Sequence, residues 1–102
     1  MKKLQVAIFI SGRGSNLESL IQLSFKKQSL VEVQLVVSNN SKAKGLIIAK
    51  KNKIPFIHFI TRKNFENKVM KYLENIDIIC LAGFMQVLDP KFVSKWRSRL
   101  IN

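Results

Sequence analysis

A chain of 102 residues is one domain's worth, enough for a single modest core. Its 47% hydrophobic content suits a globular fold, while no apolar run approaches the roughly 20 residues a membrane-spanning helix needs, and a single cysteine excludes an internal disulfide or a multi-cysteine metal site. The net charge of +12 invites a nucleic-acid reading, but most of the 18 cations are lysines scattered along the whole chain without stacking-aromatic, finger or helix-turn-helix motifs, so a specific nucleic-acid partner is not expected.

In chain order, residues 4–10 (Leu-Gln-Val-Ala-Ile-Phe-Ile) predict a buried strand. Six polar and glycine residues, Ser11-Gly12-Arg13-Gly14-Ser15-Asn16, follow, and then Leu17, Leu20, Ile21 and Phe25 recur at helical spacing. A polar connection at 26–29 leads to a second strand over 31–37 and a polar loop at 38–42. Residues 44–52 predict a short helix carrying Leu46, Ile47 and Ala49 or Ile48 inward, with Lys50 and Lys51 suited to the negative end of its dipole. A third strand is expected over 56–60 and a loop over 61–64; Phe65, Val69, Tyr72 and Leu73 then mark a helix reaching about Glu74. Residues 77–82 (Asp-Ile-Ile-Cys-Leu-Ala) form the fourth strand, almost wholly apolar, as a strand covered on both faces should be. The loop 83–88 follows, and Asp89-Pro90 caps a last helix containing Phe92, Val93 and Trp96. The Met-Lys-Lys start lacks the apolar length and small-residue cleavage site of a signal peptide, which favours a cytoplasmic protein.

Four strand-helix alternations predict an α/β domain with a parallel sheet and helices on both faces. Ligands of such sheets bind beyond the carboxyl ends of the strands, where the loops at 11–16, 38–40, 61–63 and 83–88 all fall. The 11–16 turn carries the clearest chemistry. A strand running through a glycine-rich turn into a helix leaves unpaired backbone N–H groups and the positive end of a helix dipole facing outward, an anion site. Gly12 and Gly14 allow close approach, Ser15 and Asn16 add donors and a candidate helix cap, and Arg13 adds a cation. A dinucleotide fingerprint would need a third glycine where Leu17 stands and an acidic residue after the second strand, where Ser38-Asn39-Asn40 stands; a Walker loop would need Gly-Lys-Ser/Thr. NAD and ATP are thus disfavoured and a simple phosphomonoester fits. His58 reads as a structural or solvated strand residue, and Cys80 as a small buried hydrophobe.

Residues 10–17, Ile-Ser-Gly-Arg-Gly-Ser-Asn-Leu, resemble the phosphate loop of glycinamide ribonucleotide (phosphoribosylglycinamide) formyltransferases, folate-dependent enzymes of purine synthesis. Residues 81–88, Leu-Ala-Gly-Phe-Met-Gln-Val-Leu, with Asp89-Pro90 and Phe92-Val93 behind them, are similar to that family's folate-binding segment, and 99–102 resemble the approach to its catalytic Asn-x-His-Pro motif. The resemblance covers the whole chain as the amino-terminal half of such an enzyme and implies a Rossmann-like formyltransferase fold. It implies transfer of a formyl group from 10-formyltetrahydrofolate, with no metal, to the amine of a phosphoribosyl substrate. By that resemblance Gly14, Ser15 and Asn16 (with Arg13 as a further candidate) hold the substrate phosphate; Arg62, Met85, Gln86, Val87 and Leu88 form the folate site; and Asn102 is the catalytic residue that polarises the formyl oxygen. Gln86 departs from the arginine many relatives carry. The family's catalytic histidine and aspartate have no counterpart among the 102 residues, so these residues alone are expected to bind without transferring a formyl group, and to be marginally stable or to self-associate through an uncovered sheet edge. The alternatives are a related folate-dependent formyltransferase or deformylase, or a non-catalytic phosphate-binding module.

Overall fold

In the computed structural model, which describes residues 2–59 and 64–102, five parallel strands form one sheet in the order β3-β2-β1-β4-β5. The chain runs β1 (Leu4–Ile10), α1 (Ser15–Ser24), β2 (Val31–Ser38), α2 (Lys44–Lys51), β3 (Phe56–His58), α3 (Phe65–Met70), β4 (Ile78–Leu81), α4 (Pro90–Lys95), a 3₁₀ turn at Arg97–Arg99 and β5 (Leu100–Ile101).

The central strand explains the layering. Successive side chains of a strand point to opposite faces, and every residue of β1 from Val6 onward is buried. Val6, Ile8 and Ile10 enter one core with Leu17 and Ile21 of α1 and Leu46 and Ala49 of α2. Ala7 and Phe9 enter the other with Phe65 and Val69 of α3, Phe92 of α4 and Trp96. Phe9 anchors the second layer, its ring lying 5.8 Å from Phe65, 5.4 Å from Phe84 and 6.3 Å from Phe92 between centroids. At about 1.5–3 kcal/mol for each large apolar side chain fully buried, β1 alone supplies a substantial part of the drive to fold. It pairs with β2 along its whole length, with one register shift between Val6 and Ala7 that leaves Gln34 of β2 as the extra residue, and with β4 on its other side.

The predicted parallel sheet with helices on both faces is therefore the observed one. Five local expectations need correction. β4 is not covered on both faces: of Ile78–Leu81 only Ile79 is fully buried and Cys80 is half-buried, because β4 is followed outward only by the two-residue β5. Ile47 is 69% exposed, since Leu46 and Ala49, with Ile48 half-buried, already fill the inward face of a helix only eight residues long. Phe25 lies just past the end of α1 and is 57% exposed. α3 stops at Met70: Tyr72 and Leu73 donate to the carbonyls of Val69 and Met70, three residues back rather than four, and this tighter winding turns Leu73 and Ile76 into the core while Tyr72 faces outward. The fifth strand was not anticipated; Leu100 and Ile101 pair with Ile79 and Cys80, and two residues are too few for any periodicity to announce them. By contrast, Asp89 caps α4 as predicted, its carboxylate accepting from the Lys91 N–H at 2.9 Å.

Candidate functional site

The strand order reverses between β1 and β4. At such a switch point the loops leaving the carboxyl ends of the two strands diverge and open a crevice. Here the diverging loops are 11–14, after β1, and 82–89, after β4.

The first loop delivers an uncapped helix end. Gly14 occupies the N-cap position of α1 with φ 74° and ψ 23° and has no side chain with which to cap it; the N-cap place expected of Ser15 or Asn16 does not fall to them, because the helix already begins at Ser15. The first intrahelical bond runs from the Glu18 N–H to the Gly14 carbonyl at 3.0 Å, so the N–H groups ahead of Glu18 precede the helical ladder and point out of its positive end. Arg13 and Asn16 are exposed beside them. Gly14 is fixed from behind by a residue that nothing in the pattern of α2 singles out: a Cβ on Gly14 would stand 2.7 Å from the Gly45 Cα, and the Gly45 N–H donates to the Gly12 carbonyl at 3.3 Å. The anion turn is thus seated on the first turn of α2, backbone against backbone. Only a glycine pair permits that approach.

The second loop is apolar and open. Met85 is 74% exposed and Val87 94%, whereas Leu88 is buried in the core beside Phe92. Of the predicted folate residues, Met85 and Val87 are therefore the exposed apolar surface, and Leu88 anchors the loop from beneath. Arg62 lies outside the described residues.

Between the two loops stands a polar network that the sequence did not single out. The Ser11 hydroxyl donates to the Asn39 side-chain oxygen at 2.7 Å and accepts from the Met85 N–H at 2.7 Å. The Asn39 side-chain nitrogen donates to the Gln86 side-chain oxygen at 3.3 Å, and that of Asn40 to the Ser11 carbonyl at 3.2 Å. Gln86 is thereby a partner of the β2 loop. The presence of Ser38-Asn39-Asn40 at the same sheet edge was the only available signal.

Asn102 directly follows β5, at the same carboxyl edge and two strands from β1. At about 4.8 Å per strand, the anion turn and Asn102 lie on the order of 10 Å apart across the sheet. His58 sits at the far side: β3 and β5 are opposite edges, four spacings or about 19 Å apart. It therefore lies far from Asn102. Among the described residues, no three or more His, Cys, Asp or Glu side chains are grouped to hold a metal ion, and no helix is long and apolar enough to cross a membrane. A cavity of about 620 Å³ lined by Gln5, Glu32 and Asp77 among others lies at the amino ends of the strands, away from all of these loops.

Residues 4–102 match the formyl transferase family. The chain belongs to that family. It is 40% identical over 107 residues to the trifunctional purine biosynthetic protein adenosine-3 of Gallus gallus, covering 98% of this chain and 11% of that protein. It is 36% identical to the phosphoribosylglycinamide formyltransferase of Haemophilus influenzae over 110 residues, all of this chain and 50% of the relative. A crystal structure of phosphoribosylglycinamide formyltransferase from Anaplasma phagocytophilum superimposes with a TM-score of 0.88 at 38% identity, covering 97% of this chain and 48% of the other. The chain thus spans half or less of the length of these relatives.

Proposed function

We propose that the protein is a cytoplasmic phosphoribosylglycinamide formyltransferase of purine synthesis, in which these residues hold the phosphate of glycinamide ribonucleotide and the folate that donates the formyl group. The observation that supports this most strongly is the pairing of an uncapped helix end at Gly14 with an exposed apolar loop at Met85 and Val87 across the switch point. An anion and a flat aromatic heterocycle are the two chemistries those surfaces accept.

The roles follow from position. The N–H groups of Ser15 and Asn16, with the Arg13 guanidinium as a further cation, bind the phosphate and so fix one end of the substrate. Met85 and Val87 cover one face of the pterin, and the backbone of the same loop satisfies its polar edge. 10-Formyltetrahydrofolate supplies an activated formyl group. As the substrate amine attacks, negative charge gathers on the formyl oxygen, and the Asn102 carboxamide N–H donates to it there; loss of one such donor costs about 10²–10³ in turnover. Holding both reactants at one sheet edge supplies the orientation. His58, the single histidine of these residues, takes no part in proton transfer, for the distance given above.

The test is calorimetric titration of the 102-residue protein with glycinamide ribonucleotide and with folic acid. Glycinamide ribonucleotide should bind and be displaced by inorganic phosphate, while NAD and ATP gain nothing over phosphate alone. Binding of neither ligand would overturn the reading. In the whole protein, hydrolysis of the formyl donor without any formylated amine would instead assign a deformylase.

A further inference from the structure

We propose that Ser11 is a positioning residue that ties the phosphate turn to the folate loop, so that the two substrates are bound in concert. This rests on the functional reading above and goes beyond it, since nothing in that reading gives Ser11 a role. Ser11 is the first residue after β1. A serine hydroxyl has one proton to donate and lone pairs to accept, and here both capacities are committed: the proton goes to the Asn39 side-chain oxygen and the Met85 N–H comes in, each at 2.7 Å. Asn39 is 91% buried and passes the connection on, its side-chain nitrogen donating to Gln86 at 3.3 Å. The Ser11 carbonyl is held in turn by Asn40.

These bonds join the loops of β1, β2 and β4 through one side chain. On the phosphate side, Ser11 is three residues from Gly14, the N-cap of α1. On the folate side, it holds the main chain of Met85, whose side chain is exposed in the proposed pterin wall. Any shift of the turn as an anion seats on α1 moves the hydroxyl, and the hydroxyl carries Met85 with it. Apolar contacts alone would not transmit direction in this way. Coupling through a hydrogen-bonded side chain shared by two binding loops makes each ligand favour the other to the same degree, as linkage requires.

The experiment compares the full chain with its Ser11→Ala and Ser11→Thr variants. Titrations use glycinamide ribonucleotide and folic acid, each alone and each in the presence of the other, and amide hydrogen exchange is followed at Met85. For the wild type, each ligand should tighten the other about fivefold or more. Ser11→Ala should weaken folic acid about tenfold, because the Met85 main chain is no longer held in its binding position, while glycinamide ribonucleotide alone stays within about twofold and the mutual tightening disappears. Met85 exchange should accelerate without a matching change in the amides of β1 and β4. Ser11→Thr keeps the hydroxyl and should restore both affinities and the slow exchange. Equal weakening of both ligands by Ser11→Ala, or unchanged affinities, overturns the proposal and leaves the functional reading standing. Binding of neither ligand by the wild type overturns the functional reading, and Met85 exchange then decides the hydroxyl link independently.

Discussion

Three glycines of the site loops allow the cost of a side chain to be divided into its causes. Gly12 has φ outside the left-handed region, and a Cβ there would meet nothing within 4 Å. Gly83 has φ 70°, again with open space around the added carbon. Gly14 has φ 74°, and its Cβ would stand 2.7 Å from the Gly45 Cα and 3.3 Å from the Gly45 nitrogen. Substitution by alanine therefore adds no strain at 12, left-handed strain alone at 83, and strain plus a backbone clash at 14. Left-handed strain costs a residue with a Cβ about 1–2 kcal/mol, and forcing extra volume into a packed contact costs about 1–3 kcal/mol more. Gly14→Ala should then lose about 3 kcal/mol and Gly83→Ala about 1 kcal/mol, while Gly12→Ala should gain a few tenths by restricting the unfolded chain. At about 4 °C per kcal/mol for a domain of this length, the melting temperatures should move by about −12, −4 and +1 °C. Thermal unfolding followed by circular dichroism, checked against urea titration, reads all three. Equal shifts at 12 and 14 would refute the backbone-to-backbone seat of the anion turn; equal shifts at 14 and 83 would refute the clash with Gly45.

Removing the cap in Asp89→Ala frees the Lys91 N–H and should destabilise by about 1 kcal/mol, seen as a melting temperature lowered by about 4 °C. The Trp96 side chain is 3% exposed and its indole N–H has no hydrogen-bond partner among the described residues. Trp96→Phe discards that donor along with some volume and should cost under about 1.5 kcal/mol, against about 3–5 kcal/mol for Trp96→Ala in urea titrations. Burial pushes the Cys80 thiol up from its ordinary range, so folding holds its proton more tightly than the unfolded chain does. The contribution is complete below the unfolded thiol's pKa and is lost as pH rises through the folded one. Stability should fall across alkaline pH by more in the wild type than in Cys80→Ala, and thiol labelling at pH 8 should be slower in the folded than in the unfolded protein.

The sequence made legible whatever a long pattern encodes. β1 is almost continuously apolar and is buried on both faces from Val6 onward, while β2 alternates through exposed Glu32 and Gln34 before its apolar second half is buried on both faces. The Gly12–Gly14 spacing between a strand and an amphipathic run likewise located the strand-to-helix turn, although backbone geometry demands glycine only at Gly14. Legibility ended where tertiary context decides. Ile47 and Leu46 are chemically alike, and only the placement of α2 against α1 and the sheet exposes one and buries the other. Gly45 carries no pattern signal of its own, and its place is explained only by Gly14 lying against it in the fold. Ser11 and Asn39 are polar loop residues with no periodic or spacing signal, and their pairing spans 28 positions of sequence, so only the sheet brings them together.

The sheet also grades how firmly each part of the site is held. β1 sits between two strands, sends side chains into both cores and pairs along all seven residues with β2, so the turn that follows it is the best-anchored point of the carboxyl edge. β5 is an outer strand fastened by two residue pairs, Leu100 with Ile79 and Ile101 with Cys80, and Ile101 is 52% exposed. Local opening costs little where few contacts must be broken. The phosphate end of the proposed site is therefore the more firmly anchored one, whereas Asn102 follows a strand held by only two residue pairs. In the proposed reaction, phosphate capture then rests on the better-anchored turn, while alignment of the proposed oxyanion donor rests on the structure beside β5. Affinity for phosphate should then survive perturbations at β5 that abolish chemistry, because the two functions are anchored on different strands.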